Sequence, residues 1–257
     1  MNKNLNQDKI MPKGTLYILP SFLGENSYPN DVLPPFTSKI LESIDAFLVE
    51  NPKTARAYLK KFRLKKSLQK INMFKLDKDT KKFDDFVQGM IKGEKWGLLS
   101  EAGCPCIADP GSELVHLAHE MKIKVIPLVG PSSIFLALMA SGFNGQNFTF
   151  LGYIPIDKQL RKQKILQLEK ESKQKNQTQI FIETPYRNQK LIEDLVKYLS
   201  LSTDLCIASN ITLPTEKITT KTISEWKNNP LPNLHKNPTI FLIYAQLNKP
   251  QHIFQGI

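Results

Sequence analysis

The chain alternates short apolar runs with segments whose apolar residues recur at helical spacing, the signature of repeated strand and helix. Residues 15–20 (Thr-Leu-Tyr-Ile-Leu-Pro) are almost wholly apolar and predict a strand buried on both faces. A loop at 20–25 follows, Pro34 and Pro35 interrupt the chain, and a helix is expected near 36–43. A second strand at 46–50 ends on Glu50, and a helix at 54–62 follows with Thr54 as its cap. A third strand at 71–76 and a helix at 83–91 lead to a strand at 96–100. A loop of small residues then reaches Asp109-Pro110, a pair that suits a cap and a first helical position. Leu114, Val115, Leu117, Ala118 and Met121 carry that helix. Residues 124–129 form the next strand, Gly130-Pro131-Ser132-Ser133 the next loop, and 134–140 an apolar helix stopped at Gly142. Strand, loop, helix, strand is a βαβ unit, with parallel strands and a right-handed crossover. Both loops then leave the carboxyl ends of strands, where open α/β sheets bind ligands.

The second half repeats the alternation with more charge. Strands are expected at 148–154, 178–183, 205–208 and 239–244, with one more at 219–223 on an edge. A helix at 161–175 carries Ile165, Leu166 and Leu168 as its apolar stripe, and Thr184-Pro185-Tyr186-Arg187 turns into a helix ending near Leu199. The expected division is an N-terminal α/β domain at 1–130, its arm 1–13 frayed, and a C-terminal α/β domain at 131–257.

Composition narrows the class. Of 257 residues 41% are hydrophobic, enough for a folded core. No apolar run approaches the ~18 residues a spanning helix needs. The polar N-terminus lacks an apolar signal core, so a cytoplasmic protein without a membrane partner is expected. Cys104 and Cys106 are too close for an ordinary bridge, Cys206 is distant, and no ligand spacing for a metal is present. The net charge of +11 fits a phosphate-rich partner. Only Arg56, Arg63, Arg161 and Arg187 are arginines, and the excess of lysine, Asn and Ile equally fits drift in an AT-rich genome.

The chemistry is carried by loops. Neither a Gly-x-Gly-x-x-Gly nor a Walker loop occurs. Ala102-Gly103 either admits a ligand edge against the main chain or simply turns it. Ser132 or Ser133 either caps the following helix or bonds a ligand carboxylate. Glu25, Glu50 and Glu183 stand at or just beyond strand ends, as proton acceptors or as caps and solvated charges. Arg56 and Arg187 suit phosphates or carboxylates, and the lysines from 60 to 82 form either a phosphate-tracking face or a solvated one. Cys104 is a reactive thiol or a small filler.

Residues 101–111 (Glu-Ala-Gly-Cys-Pro-Cys-Ile-Ala-Asp-Pro-Gly), followed by 127–133 (Pro-Leu-Val-Gly-Pro-Ser-Ser), resemble the tetrapyrrole methylase superfamily. Within it the chain is most similar to the bacterial 16S rRNA cytidine 2′-O-methyltransferase branch. That branch carries Asp-Ala-Gly-Thr-Pro-Gly-Ile-x-Asp-Pro-Gly at 101–111 and Glu-Ser-Pro-His-Arg where this chain has Glu183-Thr184-Pro185-Tyr186-Arg187. The resemblance implies two α/β domains with S-adenosylmethionine in the cleft between them, in a homodimer. It implies methyl transfer to a ribose 2′-hydroxyl of 16S rRNA, with rRNA or the small ribosomal subunit as partner. Carried over by position, the cofactor would touch Pro20, Ala102, Gly103, Cys104, Ile107, Ser132, Ser133, Glu183 and Asn210. Glu50 and Glu183 become the catalytic candidates, and Arg56 and Arg187 the substrate-binding ones. Three stretches depart from the branch: 20–25, 50–56, and 209–213, where Ser-Asn-Ile-Thr-Leu replaces Arg-Glu-Leu-Thr-Lys. A tetrapyrrole C-methyltransferase and a non-catalytic S-adenosylmethionine-binding regulatory or ribosome-associated protein are the alternatives.

Overall fold

The computed structural model describes residues 13–76 and 83–246, so part of the frayed-arm expectation and Lys78, Lys81 and Lys82 of the basic tract lie outside it. The chain forms two compact units that meet in sequence at Pro131 and Ser132.

In the first unit, β1 (Thr15–Leu19), β2 (Ala46–Val49), β3 (Asn72–Lys75), β4 (Lys95–Leu99) and β5 (Lys124–Pro127) make one parallel sheet ordered β3-β2-β4-β1-β5. The expected parallel relation of β4 and β5 holds, but they are not neighbours: β1 lies between them and pairs with both. The chain winds outward from β1 to β3 and returns through β4 to the opposite edge at β5, which creates a switch point beside β1. Helices α1 (Pro29–Val32), α2 (Thr37–Ser43), α3 (Pro52–Lys60), α4 (Asp84–Ile91) and α5 (Ser112–Glu120) connect these strands.

Both faces of the sheet are covered, and the two-residue period of the strands divides the core accordingly. Leu19, Phe47 and Leu99 join Leu41, Tyr58 and Leu59 on one face. Their chain neighbours Leu48 and Leu98 join Leu16, Trp96, Met90 and Leu114 on the other. Each such fully buried side chain contributes about 1.5–3 kcal/mol, so continuous apolar runs are what a doubly covered sheet requires.

Two helix starts differ from expectation. Helix α3 is capped by Asn51, whose side chain accepts from the Lys53 amide at 3.0 Å; the Thr54 hydroxyl instead donates to the Asn51 carbonyl at 3.0 Å. Helix α5 starts at Ser112 behind Gly111, not at Asp109-Pro110, because the preceding loop holds left-handed conformations up to Gly111.

The second unit contains α6 (Ser133–Ser141), β6 (Phe148–Tyr153), α7 (Lys158–Lys175), β7 (Thr178–Ile182), α8 (Asn188–Tyr198), β8 (Asp204–Ser209), β9 (Lys217–Thr222), α9 (Ile223–Lys227) and β10 (Thr239–Tyr244). Its sheet is mixed, ordered β6-β7-β10-β8-β9, with β10 antiparallel to both neighbours and β9 on the expected edge. Phe181, Ile207 and Phe241 pack with Ile165, Leu168, Leu191 and Leu195 from α7 and α8. Leu166, expected in the apolar stripe, is exposed; the buried positions of α7 are Arg161, Ile165, Leu168 and Ser172, spaced three or four apart. Arg161 is buried because its Nε and Nη2 both donate to Asp194 Oδ2, at 2.8 and 2.7 Å.

Candidate functional site

Because β1, β2, β4 and β5 are parallel, their following loops emerge at one edge of the sheet. Those loops carry Pro20, Glu50, residues 101–111 and Gly130, and hydrogen bonds tie them together. The Ser21 amide donates to the Gly103 carbonyl at 2.8 Å. Cys104 Sγ lies 3.5 Å from the Pro131 carbonyl it donates to. The Glu101 amide donates to Glu50 Oε1 at 3.2 Å, and Thr54 reaches Glu101 Oε1 at 3.3 Å. Gly130 closes the set: a Cβ there would stand 2.2 Å from the Pro20 ring, so only a bare backbone lets the β5 loop approach the β1 loop.

Residues 103–111 are strained. Gly103, Cys106, Ala108 and Gly111 all have positive φ, at 72°, 68°, 64° and 125°. For the two residues with side chains the left-handed region costs roughly 1–2 kcal/mol each. Such strain persists where the surrounding structure imposes it, commonly at ligand sites. A Cβ on Gly103 would meet Leu23 Cδ2 at 3.2 Å and the Pro131 carbonyl at 3.8 Å, with no further contact inside 4 Å beyond the adjoining residues. The space before this glycine is open.

The polar groups agree with a ligand there. Ser21 is buried, and its hydroxyl has no hydrogen-bond partner. In the second unit Ser132 occupies the N-cap position of α6, where its hydroxyl makes no capping bond. A ligand with both polar and apolar edges, such as S-adenosylmethionine, fits this surface: backbone and small side chains at Ala102, Gly103 and Cys104, and an exposed Ile107. Cys104 is no activated thiol. Burial, followed by the Asp109 charge, raises both thiols, that of Cys106 to about 11.

Beside these loops lies a cavity of about 480 Å³ bordered by Glu50, Asn51, Pro52, Lys75, Leu76 and Glu101. Glu50 borders this cavity while its Oε1 accepts from the Glu101 amide. Arg56 is exposed on α3. Within the basic tract two lysines face inward. Lys61 Nζ donates to the carbonyls of Glu25 and Ser27, the latter at 2.8 Å, and Lys66 Nζ donates to the Ile44 carbonyl at 2.6 Å. Lys61 thus pins the loop after β1 from below, as Tyr58 does by donating to the Pro20 carbonyl at 3.1 Å. Glu25 offers its carbonyl to that lysine while its side chain is exposed. Neither Tyr58 nor Lys61 is marked by any local signal in the sequence.

In the second unit Glu183, 6% exposed, is engaged within its own turn. Its Oε1 accepts from the Thr184 amide and from Arg187 Nη2, both at 2.6 Å. Asn210 adopts φ 52°, donates its amide to the Pro238 carbonyl at 2.9 Å, and borders a cavity of about 530 Å³ with Ser209, Lys217 and Asn237. Among the described residues no group of three or more His, Cys, Asp or Glu is placed to hold a metal, and no helix is long and apolar enough to cross a membrane.

A parallel sheet whose β1, β4 and β5 loops interlock around a left-handed glycine defines a class. The profile of the Tetrapyrrole (Corrin/Porphyrin) Methylases matches residues 35–227, and the chain belongs to that family of S-adenosylmethionine-dependent methyltransferases. It is similar to the ribosomal RNA small subunit methyltransferase I of Buchnera aphidicola (subsp. Acyrthosiphon pisum), 32% identical over 80% of this chain and 69% of that one. The protein of the same name from Vibrio cholerae is 29% identical, over 83% of this chain and 71% of its own. In fold the chain resembles the methyltransferase CobJ, with TM-score 0.58 and 13% identity over 91% of this chain and 95% of that one. It also resembles the uroporphyrin-III-C-methyltransferase from Thermus thermophilus, with TM-score 0.52 and 15% identity over 90% and 94%.

Proposed function

We propose that the protein methylates a ribose 2′-hydroxyl of small-subunit ribosomal RNA. The observation that supports it most is the interlocked set of loops around Gly103, which offers backbone and small side chains to a cofactor and leaves Glu50 at an adjoining cavity. The relatives named for ribosomal RNA favour that acceptor over a tetrapyrrole.

Pro20, Ala102, Gly103, Cys104 and Ile107 of the first unit hold S-adenosylmethionine in this reading. Bound there, it supplies an electrophilic methyl on a sulfonium, whose transfer depends chiefly on alignment. Glu50 accepts the proton of the attacking hydroxyl, the weak nucleophile of the pair. Glu183 serves by holding the turn that carries Arg187, since its Oε1 is committed to Thr184 and Arg187. Arg187 and Arg56 meet substrate phosphates. The protein acts in the cytoplasm, without metal, as a homodimer; Phe135 and Met139, exposed one turn apart on α6, offer an apolar surface for a second copy.

Labelled S-adenosylmethionine, mixed with the protein and small ribosomal subunits lacking the modification, tests this. Label in a 2′-O-methylated nucleoside of 16S rRNA is expected. Label absent from the rRNA but present on an added porphyrinogen would overturn it.

A further inference from the structure

The loop after β7 presents an exposed aromatic group that the cofactor and proton-transfer roles leave unused. Tyr186 is 70% exposed, and its ring stands edge-on to that of His235 with centroids 5.9 Å apart. The segment bearing His235 is fastened to the same turn, because the Lys236 amide donates to the Pro185 carbonyl at 3.0 Å. Tyr153, 57% exposed, comes from the neighbouring strand. Its position is built: the β6–β7 register shifts between Phe150 and Tyr153, and Gly152 takes φ 67° at that irregularity. Bulges of this kind re-aim a side chain, here placing Tyr153 opposite Ile182, the residue before Glu183.

Arg187 follows Tyr186 in the same turn, and Tyr153 is near enough to act on its charge. The hydrogen bond that Arg187 donates to Glu183, with a smaller effect of Tyr153, holds the guanidinium charged. Glu183 takes Nη2, the buried Nε has no hydrogen-bond partner, and the side chain remains 38% exposed. The carboxylate therefore fixes the guanidinium without enclosing it. Exposed rings on the segments beside a fixed cation suit a base with its phosphate: the rings stack on a π-face, and the guanidinium meets the anion.

We propose that Tyr186 and His235, with Tyr153 of the neighbouring strand, form a platform that takes an unpaired nucleobase of the RNA substrate, with Arg187 on its phosphate. The proposal rests on the ribosomal RNA reading and deepens it. Paired bases hide their faces within the stack, so the platform selects a single-stranded or extruded nucleotide over a helix.

The test uses the full chain and a short RNA carrying 2-aminopurine, single-stranded or annealed to its complement. The parent is expected to quench the single strand and to bind the duplex much more weakly. Tyr186→Ala should weaken single-strand binding about 5- to 150-fold, the loss of one stacked base. Tyr186→Trp should keep it within about threefold, since the larger ring stacks as well. Unchanged melting and S-adenosylmethionine affinity would show that Tyr186→Ala is folded. Equal binding of strand and duplex by the parent, no binding of either, or parent-like binding by folded Tyr186→Ala overturns the platform. Methyl transfer to small subunits is read separately. A parent that quenches the base but labels no ribosomal RNA keeps the platform and loses the acceptor; one that labels it, with Tyr186→Ala unimpaired, loses the platform alone.

Discussion

Gly103→Val separates the cofactor role of the 101–111 loop from its role as a connection. At φ 72° any residue with a Cβ is strained, by about 1–2 kcal/mol for Ala and more for a β-branched side chain. The nearest neighbour of the new Cβ is Leu23 Cδ2 at 3.2 Å, the end of a flexible side chain that can yield. If the loop shifts, the hydrogen bond from the Ser21 amide to the Gly103 carbonyl is also weakened, a further cost of about 1 kcal/mol. The sum, roughly 2–4 kcal/mol, is less than the 5–15 kcal/mol of an ordinary domain, so the variant should fold with a lowered melting temperature. The valine methyls, however, enter the open space before residue 103. Calorimetric titration with S-adenosylmethionine should show at least a tenfold weaker affinity, and Gly103→Ala should fall between the two. A folded valine variant that binds like the parent would refute the reasoning, leaving the loop as a turn.

Three further outcomes follow from other groups. Burial pushes the Tyr58 phenol well above its ordinary 10.0, so the folded state disfavours ionisation. Stability should therefore be flat below about pH 10 in this respect and fall above it, where only the unfolded chain releases the proton; in chemical unfolding Tyr58→Phe should abolish that fall and cost about 1 kcal/mol for the lost bond to Pro20. Asp194→Ala leaves the Arg161 guanidinium buried without its anion and should destabilise the protein by about 3–5 kcal/mol, whereas pairing it with Arg161→Met should recover much of the loss in thermal unfolding. Replacing Arg56, Lys60, Arg63 and Lys65 by Ala, while leaving the inward Lys61 and Lys66, should reduce the slope of log affinity for RNA against log salt by up to ~3, at ~0.7 per phosphate contact; an unchanged slope would mark the tract as a solvated face.

The strand runs were legible because a sheet covered on both faces must be apolar at every position, as Leu98 and Leu99 show by entering opposite cores. Sheet order was less legible. The periodicity of 96–129 specifies a βαβ unit but not that β1, eighty residues earlier, lies inside it. The loops of the site were recognisable by their small residues, but their conformations were not. Cys106 and Ala108 hold positive φ without being glycine, and Cys106 stands where the resembling branch has one. Long-range supports left no local trace either. Lys61 read as one charge in a basic run, yet its ammonium binds carbonyls some thirty-five residues away, at Glu25 and Ser27. A periodicity window of 11–18 residues does not reach contacts at that separation.

The segment 209–213 bears on whether the missing charges end catalysis. Ser-Asn-Ile-Thr-Leu stands where the resembling branch has three charged side chains, yet the backbone here is anything but relaxed. Asn210 has φ 52° and Thr212 φ 68°, and for a β-branched residue the latter is a strong outlier. The shape is held by bonds of its own: the Asn210 amide to Pro238, the Leu213 amide to Asn210, and the Thr212 amide to Glu216 Oε2 at 2.7 Å. Ser209 and Thr239 share a buried hydroxyl contact of 3.1 Å, so neutral groups meet one another here without an ion pair. Strain of about 1–3 kcal/mol per residue has no use in a mere connection, which could relax into a common turn. The segment 209–213 is therefore a neutral loop whose shape its own hydrogen bonds impose. Methyl transfer from a sulfonium depends chiefly on alignment, so the loss of charge at 209–213 is compatible with turnover under the proposed function. Under the proposed function, charge recognition of the substrate falls to the arginine that Glu183 holds in place.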